Sequence, residues 1–149
     1  MHLDPARVRV HREQSAELPS ALRRLDITID GGDRAIILEN KPWAMEQPDQ
    51  IRGYVDHAVR YYGDRFVLLF LTPSGREPQS IPAEAWSRLV AAGQAGTIAY
   101  NGAVRRWLED CIRECQADRV RWFLRDFAGY LAEKFGDGDE EEVVDPDSA

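Results

Sequence analysis

The chain is short of the residues that build disulfide frameworks, zinc knuckles and membrane spans. It has two cysteines and three histidines in 149 residues. Cys111 and Cys115 fall one helical turn apart with no histidine close by in sequence, a spacing that suits neither a disulfide framework nor a zinc site. They read as small apolar residues on a helix. No apolar run approaches the roughly 20 residues needed to span a bilayer. The longest, Phe66 to Leu71, has the length of a buried strand. The first residues, Met1 to Arg7, lack the apolar stretch of a signal peptide, so a cytoplasmic location is expected. There is no glycine-rich phosphate loop, because Gly31-Gly32 is punctuation between two strands and not a nucleotide fingerprint.

What is present fits one soluble α/β domain. The hydrophobic fraction is 44% and the charged fraction 30%, both ordinary for a globular protein. The formal charge of -7 is concentrated at one end: seven acids and no basic residue lie between Asp137 and Asp147. The 19 acids that remain balance 19 lysines and arginines, so the body is neutral and its charge neither favours nor excludes nucleic acid. The expected organisation is a folded domain over 1–135 and an acidic, solvated tail over 136–149.

Alternating residues at Arg7–Arg12 predict a first strand, with Val8 and Val10 on one face, and Gln14–Arg23, which contains Pro19 and Ser20, reads as a loop. Leu25–Asp30 and Ala35–Lys41 alternate around Gly31-Gly-Asp-Arg34, which predicts a β-hairpin. Gln47-Pro48 then resembles an N-cap and first-turn proline, opening an amphipathic helix over 48–62 that carries Ile51, Tyr54, Val55, Ala58 and Tyr62. Phe66–Leu71 supplies a buried strand, and this order predicts a right-handed βαβ crossover onto the hairpin's sheet. The remainder is expected to be mainly helical. A short helix runs from Ser80-Ile-Pro82 to Ala92 and a short edge strand spans Thr97–Tyr100. Asn101 caps a helix bearing Val104, Trp107, Leu108, Cys111, Ile112 and Cys115, and a last helix carries Val120 to Leu131.

Chemistry points to the hairpin. A turn over Gly31–Arg34 pairs Asp30 with Ala35, and counting back sets Asp26 opposite Glu39. Side chains alternate with period two, so Asp26, Glu39 and Lys41 share one face, while Leu25, Ile27, Ile29, Ile36 and Leu38 point to the other. Two cross-strand carboxylates repel each other unless something cationic lies between them. Mg²⁺ takes oxygen ligands and is commonly held by one or two carboxylates with water and a substrate phosphate. On spacing alone, a solvent-facing strand with an ordinary Lys41 ion pair is the commoner explanation.

Three runs together resemble a known family: Arg24-Leu-Asp-Ile-Thr-Ile29, Ala35-Ile-Ile-Leu-Glu-Asn-Lys41 and Gln47-Pro-Asp-Gln-Ile-Arg-Gly-Tyr54. They are similar to the PD-(D/E)XK nuclease superfamily, in the bacterial and phage branch whose lysine motif reads Glu-Asn-Lys. The resemblance covers roughly residues 8–133, with its specific motifs within 24–54. It implies a restriction-endonuclease-like core: a mixed sheet with a β-hairpin and a βαβ crossover, flanked by helices. It also implies Asp26 and Glu39 as metal ligands, Lys41 as the catalytic lysine and Gln50 as a supporting active-site residue. Tyr54 matches an aromatic position of structural character, and Glu13 aligns loosely with a further acidic one.

The family core ordinarily begins with a helix packed on the sheet. Only about six residues precede the first strand here, so that helix is expected to be missing, and an exposed sheet face would favour self-association. The implied activity is Mg²⁺-dependent hydrolysis of phosphodiester bonds in nucleic acid, DNA above RNA, with Mn²⁺ able to substitute and no membrane partner. Two readings compete with it. One is a catalytically incomplete module that binds nucleic acid or protein on a nuclease-like fold, and the other is an α/β interaction protein whose carboxylates only decorate a surface.

Overall fold

The computed structural model describes residues 8–18 and 21–136. The reading of 136–149 as a tail therefore falls, apart from Gly136, outside the described residues, as does anything before Val8. The described chain forms two compact units, Met1–Ala99 and Tyr100–Ala149.

The first unit is a five-stranded sheet in sequence order, β1 (Arg9–Leu18), β2 (Ala21–Asp30), β3 (Ala35–Asn40), β4 (Phe66–Thr72) and β5 (Ala95–Ala99). The first three strands are antiparallel neighbours, and β3, β4 and β5 are parallel. The mixed sheet follows from connection length. The four-residue turn can only reverse the chain, whereas α1 (Gln50–Tyr62) and α2 (Ala83–Ala91) are long enough to carry it back for parallel pairing. The expected hairpin and crossover are both present. The second crossover, through α2, was not anticipated, although an edge strand near Thr97 was; it is β5, and it begins two residues earlier. No helix among the described residues is long and apolar enough to cross a membrane.

Gln14–Leu18 and Ala21–Arg23 are strand and not loop, since β1 and β2 pair from Arg9↔Asp30 to Leu18↔Ala21; Pro19-Ser20 of the expected loop lie outside the described residues. The second hairpin turns as expected, with Asp30 opposite Ala35. Gly31 donates its N–H to the Arg34 carbonyl, Gly32 donates to Asp30 Oδ1, and Gly32 sits at φ 88°, a conformation that favours glycine.

Both helices cover the same side of the sheet. The core there contains Ala35 and Ile37 of β3, Phe66, Leu68 and Phe70 of β4, Ile51, Tyr54 and Ala58 of α1, and Trp86 of α2. Ile36 and Leu38, on the opposite side of β3, are only half-buried. Burial along β3 therefore selects the face that also carries Glu39. Ile37 is fully buried on a central strand, and Ile37→Ala is expected to destabilise the fold by about 3–4 kcal/mol. Chemical denaturation would read this as a lower midpoint with an unchanged slope.

The second unit begins with a π-helical turn, Tyr100–Val104, followed by α3 (Arg105–Glu114) and α4 (Asp118–Phe135). Asn101 lies inside that turn and does not cap α3, because helical winding has already begun at Tyr100. Leu108, Leu131 and Phe135 form a small core with Val104 and Leu124 packed on it. Cys111 and Cys115 are free thiols, both half-buried.

Candidate active site

Period-two alternation fails at one point in β2, and the failure helps shape the site. The ladder to β3 ends at Ile27↔Leu38, so Asp26 and Glu39 do not continue it. In place of a backbone bond, Asp26 Oδ2 accepts the Asn40 N–H at 2.8 Å. The partner strand breaks step as well: Glu13 is absent from the β1–β2 register and has a left-handed φ of 54°. Beyond this irregularity Leu25 joins the core of Ile37, Ile51 and Tyr54 instead of lying beside Ile27 and Ile29. Strict parity had put Leu25 on the other side. The side-chain bond across the strands permits the reversal, by satisfying an amide that the displaced strand no longer reaches.

Glu39 closes β3 on the helix-covered face and is 1% exposed. Its Oε1 accepts two short hydrogen bonds, from Lys41 Nζ at 2.7 Å and from Gln50 Nε2 at 2.7 Å. Its Oε2 is buried and has no hydrogen-bond partner. Burial pushes the carboxyl up to about 7; the Lys41 hydrogen bond and charge oppose that rise, and the neighbouring negative charge of Asp26 adds to it. The structure thus brings Asp26, Glu39, Lys41 and Gln50 together.

Gln50 is held from both ends of its amide. Its Oε1 accepts the Gln47 N–H at 3.1 Å, while Nε2 donates to Glu39 and to the Tyr54 hydroxyl at 2.9 Å. The Tyr54 hydroxyl donates to the Arg24 carbonyl at 2.8 Å and accepts from Gln50, and it also helps to restrain the rise of the Glu39 pKa. Tyr54 is 1% exposed and ties α1 to β2 beside Asp26. Tyr54→Phe is expected to cost about 1–3 kcal/mol by stranding a buried amide hydrogen and a carbonyl, measurable as a lower thermal midpoint.

The first turn of α1 departs from the expected pattern. The helix begins at Gln50, two residues later than Pro48, behind Asp49 at φ 53° with no side-chain cap. Its open amides are met from outside: Ser80 Oγ accepts from Ile51 at 3.0 Å and the Ser80 carbonyl accepts from Arg52 at 3.3 Å. Ser80 is in turn fixed by Glu46, whose carboxylate accepts from the Ser80 hydroxyl and amide, the Gln79 amide and Arg76 Nη1. Burial opposes the charge on Glu46, but these donors outweigh it and hold its pKa below the usual carboxylate value. Glu46, Arg76 and Ser80 support the site and escaped sequence reading. Their one signal is a charged residue in the short link between a strand and the helix carrying Gln50. Glu13, by contrast, pairs with Arg24 at 3.6 Å with its side chain 66% exposed.

The donor set suits a hard cation. Two carboxylates lie together, and one buried oxygen carries no proton donor, an arrangement that costs free energy unless a positive group approaches it. Among the described residues no group of three His, Cys, Asp or Glu side chains converges, so oxygens of water or substrate would have to complete any coordination shell.

No curated protein and no solved structure matches the chain. A family model, that of the PD-(D/E)XK nuclease superfamily, matches residues 2–129 and so includes the whole sheet, α1 with Gln50, and most of the helical second unit. Matched over most of its length by that model, the chain belongs to the PD-(D/E)XK nuclease superfamily.

Proposed function

We propose that this protein is a divalent-metal-dependent nuclease that hydrolyses phosphodiester bonds of DNA. The observation that carries the reading is the buried, unpartnered Oε2 of Glu39 beside Asp26, with Lys41 and Gln50 both on the other oxygen. Asp26 and Glu39 would hold Mg²⁺, or Mn²⁺ in its place, through oxygen ligands. The ion, when bound, polarises the scissile phosphate and makes a coordinated water more acidic.

The protein's own groups have distinct tasks. Gln50 and Lys41 pin Glu39 Oε1, which leaves Oε2 facing the site in one orientation. Asp26 is set by the Asn40 amide, so its second oxygen is presented without a free rotor. Lys41 is 12% exposed, and its low exposure keeps an ammonium at the carboxylate end of β3, where it offsets phosphate charge and orients the attacking water. Hydrolysis forms a bond from the water oxygen to phosphorus and breaks the ester bond, whose oxygen leaves with a proton.

The test is a cleavage assay on linear and circular DNA with Mg²⁺ or Mn²⁺, beside calorimetric titration of Mn²⁺ into the protein and into Asp26→Asn. Metal-dependent cleavage, with metal binding lost in the variant, is the expected result. DNA binding without cleavage under any metal condition would favour the alternative, a binding module on a nuclease-like fold. Neither metal binding nor DNA binding would leave the third reading, an α/β interaction protein, in which Glu39 is a buried structural carboxyl held by Lys41 and Gln50.

A further inference from the structure

Helix α4 uses one flank to build the small core of the second unit and leaves another flank bare. Leu124, Leu131 and Phe135 face the core. Next to them runs a second apolar row, Val120, Phe123, Phe127 and Tyr130, at spacings of three, four and three residues. Val120 is 49% exposed, Phe123 65% and Tyr130 45%, while Phe127 is half-buried, with one side packed on the small core. The rings form a continuous ladder: Phe123 and Phe127 are 6.2 Å apart and 15° from parallel, and Phe127 and Tyr130 are 6.5 Å apart and 13° from parallel. The alternating three-and-four spacing is that of a helix–helix seam. The exposed parts of these side chains amount to on the order of 300 Å² of mainly apolar surface, in the range of the largest patch on an ordinary monomer, which is often functional.

The charges beside the seam point to what covers it. Arg119, Asp126 and Glu133 follow one another at seven-residue intervals on its outer edge, positive at the start of the helix and negative at its end. A nucleic-acid strand laid along the row would meet two carboxylates for one arginine, which disfavours it. A second α4 running antiparallel meets the opposite pattern. In the register that overlaps the row fully, Val120 lies against Tyr130 of the other copy and Phe123 against Phe127. Arg119 then faces Glu133 of the other copy, twice over, as two-fold symmetry demands. Asp126 meets its own symmetry mate at the axis, on the exposed rim.

We propose that α4 is a homodimerisation helix and that a second copy of this chain covers the Val120–Tyr130 row by antiparallel pairing. The inference does not depend on the catalytic reading. The seam is smaller than a standard permanent interface, so the dimer is expected to be weak, with Kd on the order of 10 µM.

Sedimentation velocity over a concentration series tests it on the full chain. Wild type is expected to pass from a 17.0 kDa monomer to a species of twice that mass as concentration rises. The double variant Phe123→Glu with Tyr130→Glu should stay monomeric; both side chains are exposed, so circular dichroism should show its helix content retained. Arg119→Glu should weaken the dimer about tenfold or more. Adding Glu133→Arg to it should restore association, because the swap re-creates the pairing only in the antiparallel arrangement. Asp126→Asn should tighten it severalfold. A wild type that remains monomeric at about 200 µM, twentyfold above the expected Kd, would overturn the proposal. So would a dimer indifferent to the double glutamate variant, or a charge swap that fails to restore what Arg119→Glu removes.

Discussion

Lys41→Ala is expected to reduce DNA cleavage about 1,000-fold or more, equivalent to about 4 kcal/mol of transition-state stabilisation. The ammonium is 2.7 Å from Glu39 Oε1 and 12% exposed, so its loss removes a fixed positive charge that no neighbour on β3 replaces. A second consequence separates this variant from a merely misfolded one. Lys41 is one of the groups that hold the Glu39 pKa down against burial, so without it the carboxyl should rise further and metal binding should need a higher pH. The variant is therefore expected to bind Mn²⁺ less tightly at neutral pH and to recover part of that binding, though little cleavage, at higher pH. Lys41→Arg should not restore activity, because a planar guanidinium cannot occupy the volume of an ammonium held between Glu39 and the site. Single-turnover cleavage with circular dichroism on the same sample checks both points. A Lys41→Ala protein that keeps more than a tenth of wild-type cleavage would remove Lys41 from the chemistry.

The second large effect concerns stability against pH in metal-free protein. Glu39 has an ordinary carboxylate pKa near 4.5 when exposed and about 7 in the folded chain. Its folded form therefore holds a proton that its unfolded form releases across that interval. The native state is favoured at the acid end, and stability declines as pH rises from about 4.5 to about 7, by up to about 3 kcal/mol from this group. Most surface carboxylates act in the other direction, so a falling limb near neutrality is distinctive. Urea midpoints measured in the presence of a chelator should show it, and Glu39→Gln should flatten it. A divalent cation takes the place of the proton, so adding Mn²⁺ should stabilise the wild type more at pH 8 than at pH 6. The apparent affinity should rise about tenfold per pH unit below 7. A metal-free midpoint that instead climbs steadily through this range would contradict the burial-driven shift at Glu39.

Much of this is legible in the sequence, and for identifiable reasons. The Gly31–Arg34 turn, the alternation on either side of it and the length of the Phe66 strand are local signals, and they yielded the hairpin, the first crossover and the grouping of Asp26, Glu39 and Lys41. The face that the core would choose was harder. Ile36 and Leu38 look more apolar than Ala35, Ile37 and Glu39, yet α1 covers the latter because the parallel crossovers set both helices on that side. Leu25 was misplaced by a rule that holds only while the ladder holds, and Asp26 interrupts the ladder with its own side chain. Gln14–Arg23 reads as a loop from its turn residues, but such residues say nothing of how far pairing extends, and Gln14–Leu18 and Ala21–Arg23 are paired strand. The late start of α1 at Gln50 depends on partners visible only in three dimensions: the side-chain amide of Gln50 donates to Glu39, and Ser80 caps Ile51 from 29 residues away.

That remote cap has a consequence for how the site breathes. Glu46 binds Gln79 and Ser80, and Ser80 binds the amides of Ile51 and Arg52, so the segment after Lys41, the start of α1 and the approach to α2 are joined in one chain of bonds. Such segments open together or not at all. Amide hydrogen exchange at Ile51, Arg52, Gln79 and Ser80 should proceed with a common opening free energy, and Glu46→Ala should accelerate all four while leaving β3 and β4 protected. The first turn of the Gln50 helix would then be the point at which the candidate site loosens before the sheet does.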